Sequence, residues 1–445
     1  MQTQRDHVHA YQFLMNRMSS ALVLGDPASA EVPAKRAKTG LIIGLVLTVL
    51  IGVGFGVYGI FVPGGNEKWK AQGAIVVEKE TGTRYANVGG VLHPTLNYAS
   101  AKLLQGPGST VESISRASLE GAPRGAPIGI PGAPQTLPPA EALVGSRWLV
   151  CLPSAGADGA VNLDFDPAAA SVAMPAGTYL PVRSVDGTQY LLWQGRKHRM
   201  ADPSVAVALG MANARPATAP QWWLDVVPEG PVLQAAPVEG AGTTEVGGTA
   251  HPVGQLFEQP VPGAEPQRFV LLPDGLAPLN RTEFALQAVR PGAADPVVLD
   301  AAAVAAAPRS ADRSLLDRLP DLGGARPHVG GDALCLRQAP AGDRVRSEVV
   351  LAPPRQASAP GGTVHVPPGS GLVVGAVPLP AGQRVPDRYF ITDQGTKHLM
   401  PDDESIRSLG LGSAAVRPIS NELLATLPTG PVLSRAAVGA GGKVS

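Results

Sequence analysis

Residues 41–62 read LIIGLVLTVLIGVGFGVYGIFV, an apolar run without a single charge. At about 1.5 Å per helical residue such a run spans roughly 33 Å, enough to cross the hydrocarbon core of a bilayer. Lys35, Arg36 and Lys38 precede it closely, with Arg5 and Arg17 further back, while Glu67, Lys68 and Lys70 follow. The excess of positive charge on the N-terminal side predicts a cytoplasmic N-terminus and an extracytoplasmic remainder, the helix ending at Pro63-Gly64-Gly65. Forty residues ahead of the run are too many for a cleaved signal peptide. Within the run, Gly52 and Gly56 make a small-xxx-small spacing that would let another membrane helix approach closely.

Ahead of the span, Val8, Tyr11, Leu14, Met15, Met18 and Leu22 recur at helical spacing, and Gly25-Asp26-Pro27 is a stop. A helix this short cannot bury its own stripe. The stripe is only weakly basic, so Tyr11, Leu14, Met15, Met18 and Leu22 are expected to face a partner more than a lipid surface.

Beyond the span one unit is repeated four times. The copies centre on Tyr85-Ala-Asn-Val-Gly-Gly90-Val-Leu-His93, Tyr190-Leu-Leu-Trp-Gln-Gly195-Arg-Lys-His198, Phe269-Val-Leu-Leu-Pro-Asp-Gly275-Leu-Ala-Pro278 and Phe390-Ile-Thr-Asp-Gln-Gly395-Thr-Lys-His398. An aromatic opens a short strand, glycine marks a hairpin turn, and a second strand follows. A helix then begins at Asp202-Pro203 or Asp402-Asp403-Glu404 and stops at Leu209-Gly210 or Leu409-Gly410. Copies two and four share tails, Pro228-Glu-Gly-Pro-Val-Leu233 and Pro428-Thr-Gly-Pro-Val-Leu433, and Pro123-Arg-Gly-Ala-Pro-Ile128 is a looser version. The predicted unit is strand–turn–strand–helix–strand, too small to stand alone. Only 4% of residues are aromatic against 53 Gly and 45 Pro, which suits small packed units joined by turns.

Cys151 and Cys335 are the two cysteines, each in a short apolar, strand-like run beyond the span. An oxidising compartment favours a disulfide between them; two buried free thiols are the alternative. The expected fold is α+β and β-dominated: one transmembrane helix and an elongated ectodomain of four repeats around a central disulfide-linked β domain. The boundaries are 1–40 for the cytoplasmic helix and basic linker, 41–62 for the span, 63–142 for repeat one and 181–250 for repeat two. Repeat three is 251–329, repeat four with its tail 380–445, and the central domain 143–180 with 330–379. Residues 237–252 and 301–308 read as linkers.

The residues offer little chemistry. Net charge is zero, which removes bulk attraction to nucleic acid. His93, His198 and His398 hold one equivalent position in separate units, a pattern for a repeat-specified structural role more than for a metal. Neither a cofactor nor a catalytic constellation is expected. Gly439-Ala-Gly-Gly-Lys443-Val-Ser445 has the wrong spacing for a phosphate-binding loop and lacks a following helix. Trp222-Trp223 reads as core packing.

Taken together, Tyr11-Gln-Phe-Leu14 before one span, Leu92-His-Pro94 with Asn97 and Ser100-Ala-Lys-Leu103, and Gly129-Ile-Pro-Gly-Ala-Pro134 resemble the EccB family of type VII (ESX) secretion systems. The two Cys also fall where that family places its disulfide. The resemblance implies a structural core subunit in the cell membrane, assembled with EccC, EccD and EccE, near a mycosin protease and self-associated within the complex. The chain departs from the family at Leu22-Val-Leu-Gly-Asp26, which lacks the arginines often found there. Members are sometimes described as ATPases, so an ectodomain nucleotide hydrolase is the rival reading, and an envelope glycan-binding module a further one.

Overall fold

The structure is a computed structural model describing residues 4–25, 33–61, 66–153, 159–358 and 361–441. Helix α1 runs Gln4–Leu24 and closes at Gly25, whose φ of 70° suits only glycine comfortably and whose N–H donates to Ala21 O. The Asp26-Pro27 part of the expected stop lies outside the described residues. Helix α2 runs Pro33–Phe61, and Ala37–Gly59 is long and apolar enough to cross a membrane. It starts earlier than residue 41 because Lys35, Arg36 and Lys38 are good helix formers and Pro33 suits a first helical position. Val62 and Pro63-Gly64-Gly65 lie outside the described residues.

Each repeat contains one strand more than expected. The added first strands are Ala74–Glu78, Thr178–Ser184, Leu256–Gln259 and Gly371–Val377. The aromatic-opened second strands are Arg84–Val88, Gln189–Trp193, Gln267–Leu272 and Arg388–Thr392. Third strands are Val91–Pro94, Arg196–Arg199, Gly275–Pro278 and Lys397–Met400. A helix follows (Tyr98–Gln105, Ser204–Ala208, Arg281–Ala288, Asp403–Ser408), then a fourth strand (Thr110–Ile114, Ala217–Ala219, Val297–Val298, Arg417–Ser420). All four sheets have the order third–second–first–fourth, with the fourth strand parallel to the first. The first strand of repeat two, Thr178–Ser184, crosses the boundary drawn at 181, and that of repeat four, Gly371–Val377, lies wholly before the boundary drawn at 380. Gly-Leu-Val-Val-Gly-Ala-Val at 371–377 is a continuous apolar run without the aromatic–glycine marker, so it reads like central sheet.

The chain divides into two compact units. One comprises α1, α2 and the sheet of the first repeat. The other holds the remaining repeats, the central sheet and helix Tyr98–Gln105, which packs through Ala99 and Leu103 among Ile406, Leu409 and Val438. The central sheet has six strands in the order Val364–His365, Asn162–Asp164, Trp148–Cys151, Ala333–Ala341, Arg344–Ala352, Val172–Ala173. Cys151 and Cys335 face each other across antiparallel strands and are joined in a disulfide, S–S 2.07 Å. The core over this sheet is shared: Trp148 and Phe165 meet Val182, Leu192 and Trp223 of the second repeat and Leu372 and Ile391 of the fourth.

Both expected linkers carry structure. In residues 237–252, Thr243–Val246 pairs with Thr249–Pro252 across Gly247-Gly248, whose φ values of 60° and 78° suit a tight hairpin turn. Val246 anchors it on Phe257, Leu299 and Val304. Ala301–Ala306 is a helix whose first turn is capped by Asp300, its Oδ1 accepting from Ala303 N at 2.7 Å. Alanine is the best helix former, so an Ala-rich stretch behind an Asp folds as soon as it has a surface to pack on.

Candidate functional site

The polar residues that the repeats hold in common close each repeat on itself. After the fourth strand the chain returns and pairs in parallel with the third. In every copy one residue of the third strand, Leu92, Lys197, Leu276 or Lys397, donates its N–H to a proline carbonyl: Pro123, Pro228, Pro308 or Pro428. The residue two beyond that proline, Gly125, Gly230, Ser310 or Gly430, donates back to the same strand residue. The next strand residue is His93, His198, Ala277 or His398. Where it is histidine, the ring lies flat against the tail glycine. A β-carbon on Gly125 or Gly230 would stand 2.2 or 2.1 Å from the ring Cε1. Where the strand carries Ala277, the tail carries Ser310. The third tail, Pro308-Arg-Ser-Ala311, escapes sequence inspection because this exchange removes the glycine.

His198 and His398 are almost wholly buried. Each Nδ1–H donates to a tail carbonyl at 3.0 Å, Pro231 O and Pro431 O, since a carbonyl can only accept. Burial pushes both imidazoles below their ordinary pKa, outweighing the carbonyl bond; Arg196 adds to the effect at His198. The lysines before them act alike: Lys197 and Lys397 Nζ donate to Leu224 O (3.0 Å) and Leu424 O (2.5 Å). Burial lowers the Lys397 ammonium. Helix starts are capped alike in three copies, where Asn97, Asn280 and Asp402 accept from Ser100, Glu283 and Ser405 N; in the second copy the helix follows Pro203, and Asp202 ahead of it accepts from Ser204 N. Trp223 is fully buried and its Nε1–H donates to Val150 O at 3.1 Å, pinning the second repeat to the central sheet.

Surfaces for other molecules lie elsewhere. Tyr11, Leu14, Met15, Met18 and Leu22 are all exposed along α1. Gly52 and Gly56 sit in α2 with no atom within 4 Å of a built β-carbon, so the helix face is smooth there. A cleft of about 930 Å³ opens between the central hairpin turn at Gly342–Val345 and Val377–Leu379 of the fourth repeat. Another of about 520 Å³ opens on the third repeat between Glu265–Phe269 and Arg309–Arg313. Gly439 lies within helix Arg435–Gly441, and Lys443 lies outside the described residues. Among the described residues no group of three His, Cys, Asp or Glu side chains could hold a metal ion.

Among the described residues, one candidate membrane span, a disulfide-crosslinked central sheet and four self-closing copies of a ββ-β-α-β unit define the class of a membrane-anchored repeat protein. The chain belongs to the EccB family: the family model described as "Type VII secretion system ESX-1, transport TM domain B" matches residues 1–441. It is therefore a component of the ESX secretion systems. It is 28% identical to "ESX-1 secretion system ATPase EccB1" of Mycobacterium tuberculosis, over 97% of this chain and 93% of that protein. It is 26% identical to "ESX-3 secretion system ATPase EccB3" of Mycolicibacterium smegmatis, over 97% and 89%. Among solved structures it resembles a chain of the intact ESX-5 inner membrane complex (TM-score 0.55, 24% identity, 98% of this chain and 95% of that one). It also resembles the EccB3 dimer from the ESX-3 core complex (TM-score 0.52, 24% identity, 82% and 99%).

Proposed function

We propose that the chain is a structural core subunit of the ESX membrane machinery, tying a cytoplasmic helix through one span to an extracytoplasmic assembly. The observation that carries this reading is where the recurring polar residues go. Histidine, lysine and the capping side chains each close their own repeat. The smooth glycine face of α2 and the apolar stripe of α1 remain free to take neighbours. Gly52 and Gly56 pack against another membrane helix, and Tyr11, Leu14, Met15, Met18 and Leu22 against a cytoplasmic partner. EccC, EccD and EccE are the proposed membrane neighbours and a mycosin protease the proposed external one. The basic flank at Lys35, Arg36 and Lys38 supports a cytoplasmic N-terminus. Solved relatives come from an inner membrane complex and a dimer, which supports self-association.

The relatives' names include the word ATPase. Hydrolysis needs a backbone cradle for phosphates, a cation on oxygen ligands and a positioned water. The scaffold reading expects purified full-length chain to turn over Mg-ATP no faster than a contaminant control. The decisive experiment is mild detergent extraction and affinity purification of the complex. Loss of the complex on deleting residues 4–24, with the remainder folded, supports the scaffold. Steady ATP turnover abolished by a point substitution in this chain overturns it.

A further inference from the structure

The third repeat is the one copy whose strand-to-tail contact carries Ala277 and Ser310, and it is also the copy with an arginine-lined cleft. Two of its guanidinium groups are built in. Arg281 lies over Gly323, where a β-carbon would meet its side chain at 2.4 Å, and its Nε donates to both Asp321 carboxylate oxygens at 3.1 and 3.2 Å. Arg268 is 3.1 Å from Glu258 and sits 5.6 Å above the Phe284 ring. Two further arginines, Arg309 and Arg313, line the opposite wall. Both are exposed, and their side chains have no ion-pair or hydrogen-bond partner among the described residues. The apolar surface of the floor is offered by half-buried Pro266, Pro278 and Leu316, with Phe269, Leu276 and Leu279 buried beneath.

A carboxylate already lies in this cleft. Glu265, on the exposed loop between the first two strands of the repeat, lies 3.6 Å from Arg281 and 3.9 Å from Arg268. Those distances are too long for hydrogen bonds, so Glu265 fills no donor position beyond those that Asp321 takes on Arg281 and Glu258 and Pro266 O take on Arg268. We propose that this cleft is a docking site for an acidic peptide segment of another polypeptide, its carboxylates taken by Arg309, Arg313 and the outer edges of Arg268 and Arg281. Its apolar side chains rest on Pro278 and Leu316. Four guanidinium groups meet three carboxylates, Glu258, Glu265 and Asp321, and Arg309 and Arg313 have none of their own among the described residues, so the complementary ligand is anionic. Guanidinium forks match carboxylates bidentately, and the apolar floor asks for alternating apolar residues, which a peptide supplies and a free anion does not. At about 520 Å³ the cleft holds several side chains, more than a lone anion fills. The inference rests on the scaffold reading in that the peptide would belong to a partner of the assembly, yet it is measured on the isolated chain.

The test is fluorescence anisotropy with purified full-length chain in detergent. The probe is a fluorescein-labelled eight-residue peptide alternating Glu and Leu, the control the same peptide with Gln for Glu. The acidic peptide should bind at least tenfold more tightly than its control and weaken with added salt. R309Q/R313Q should cost tenfold or more while leaving the melting temperature unchanged, since both side chains are exposed. Glu265→Gln, which removes the resident carboxylate, should tighten binding several-fold, an effect a merely structural role would not produce. Equal binding of both peptides, indifference to R309Q/R313Q, or displacement by inorganic phosphate as effective as by unlabelled peptide would overturn the proposal. Failure of the complex-isolation experiment with intact peptide binding would sink the scaffold alone.

Discussion

A β-carbon added to Gly430 would stand 2.2 Å from Cε1 of His398, inside the van der Waals envelope of the ring. Glycine and histidine are therefore one structural element, written in two places 32 residues apart. Gly430→Ala should destabilise the full chain by about 1–3 kcal/mol, the ordinary cost of overpacking. In a His398→Ala background the same substitution should cost far less, as Ala277 beside Ser310 already illustrates. Thermal melts of the four members of this double-mutant cycle would measure the coupling. Additive losses would show that ring and glycine do not act together.

His198 and His398 make stability fall with acidity. Their folded pKa values are lowered, so below the ordinary value of about 6.5 the unfolded chain takes up protons that the folded chain refuses. Stability is full above that value and declines as pH drops toward the folded pKa, by at most about 1.4 kcal/mol per pH unit for each histidine. H198N/H398N, whose amide N–H can replace the Nδ1–H donor, should flatten the decline between pH 7 and 5 in denaturant titrations. An unchanged slope would assign it to other groups.

Cys151 and Cys335 sit in register on adjacent strands. Mass spectrometry of a non-reduced digest should recover their linked peptides, and Cys151→Ser should lower the melting temperature. The chain-entropy model sets the loss at up to roughly 5 kcal/mol for so long a loop. Free thiols in freshly alkylated protein would contradict the bond.

Trp223 tests the seam between the second repeat and the central sheet. Trp223→Phe keeps much of the ring but leaves Val150 O without its donor, a loss of about 1–3 kcal/mol; Trp223→Ala should cost about 3–5 kcal/mol. Melting temperatures of the two variants should rank in that order. Equal melting temperatures for wild type and Trp223→Ala would deny the seam any role.

Orientation across the bilayer can be read with thiols. Ser19→Cys and Ser113→Cys are both at exposed positions. On intact cells a membrane-impermeant thiol reagent should label position 113 and spare position 19. The opposite pattern would reverse the topology.

Much of this was legible in the residues. The span, the disulfide and the aromatic–glycine–histidine signature each rest on local chemistry. So do the tails of copies two and four, where Pro-x-Gly-Pro recurs. The first strand of each repeat was not legible, because a buried apolar run looks the same in any sheet. The pairing of His with the tail Gly joins residues remote in sequence, although the constant separation (93 to 125, 198 to 230, 398 to 430) is a signal that could have revealed it. The Ala-rich helix at Ala301–Ala306 and the hairpin ending at Pro252 were hidden by composition alone. The arginine cleft was unreadable, since Arg268, Arg281, Arg309 and Arg313 are gathered only by the tertiary path of the chain.

The crosslink at Cys151 and Cys335 also decides how the molecule would bear a pull. Tension applied between the membrane end and the C-terminus passes from Cys151 through the sulfurs to Cys335. It never enters the stretch between them, a sequence separation of 184 that holds the second and third repeats. Without that shortcut the stretch could pay out roughly 600 Å of slack once its sheets gave way. With it, a machine that works against traffic through an envelope has two of its repeats hung outside the line of force, free to be contact surfaces and never required to be rope.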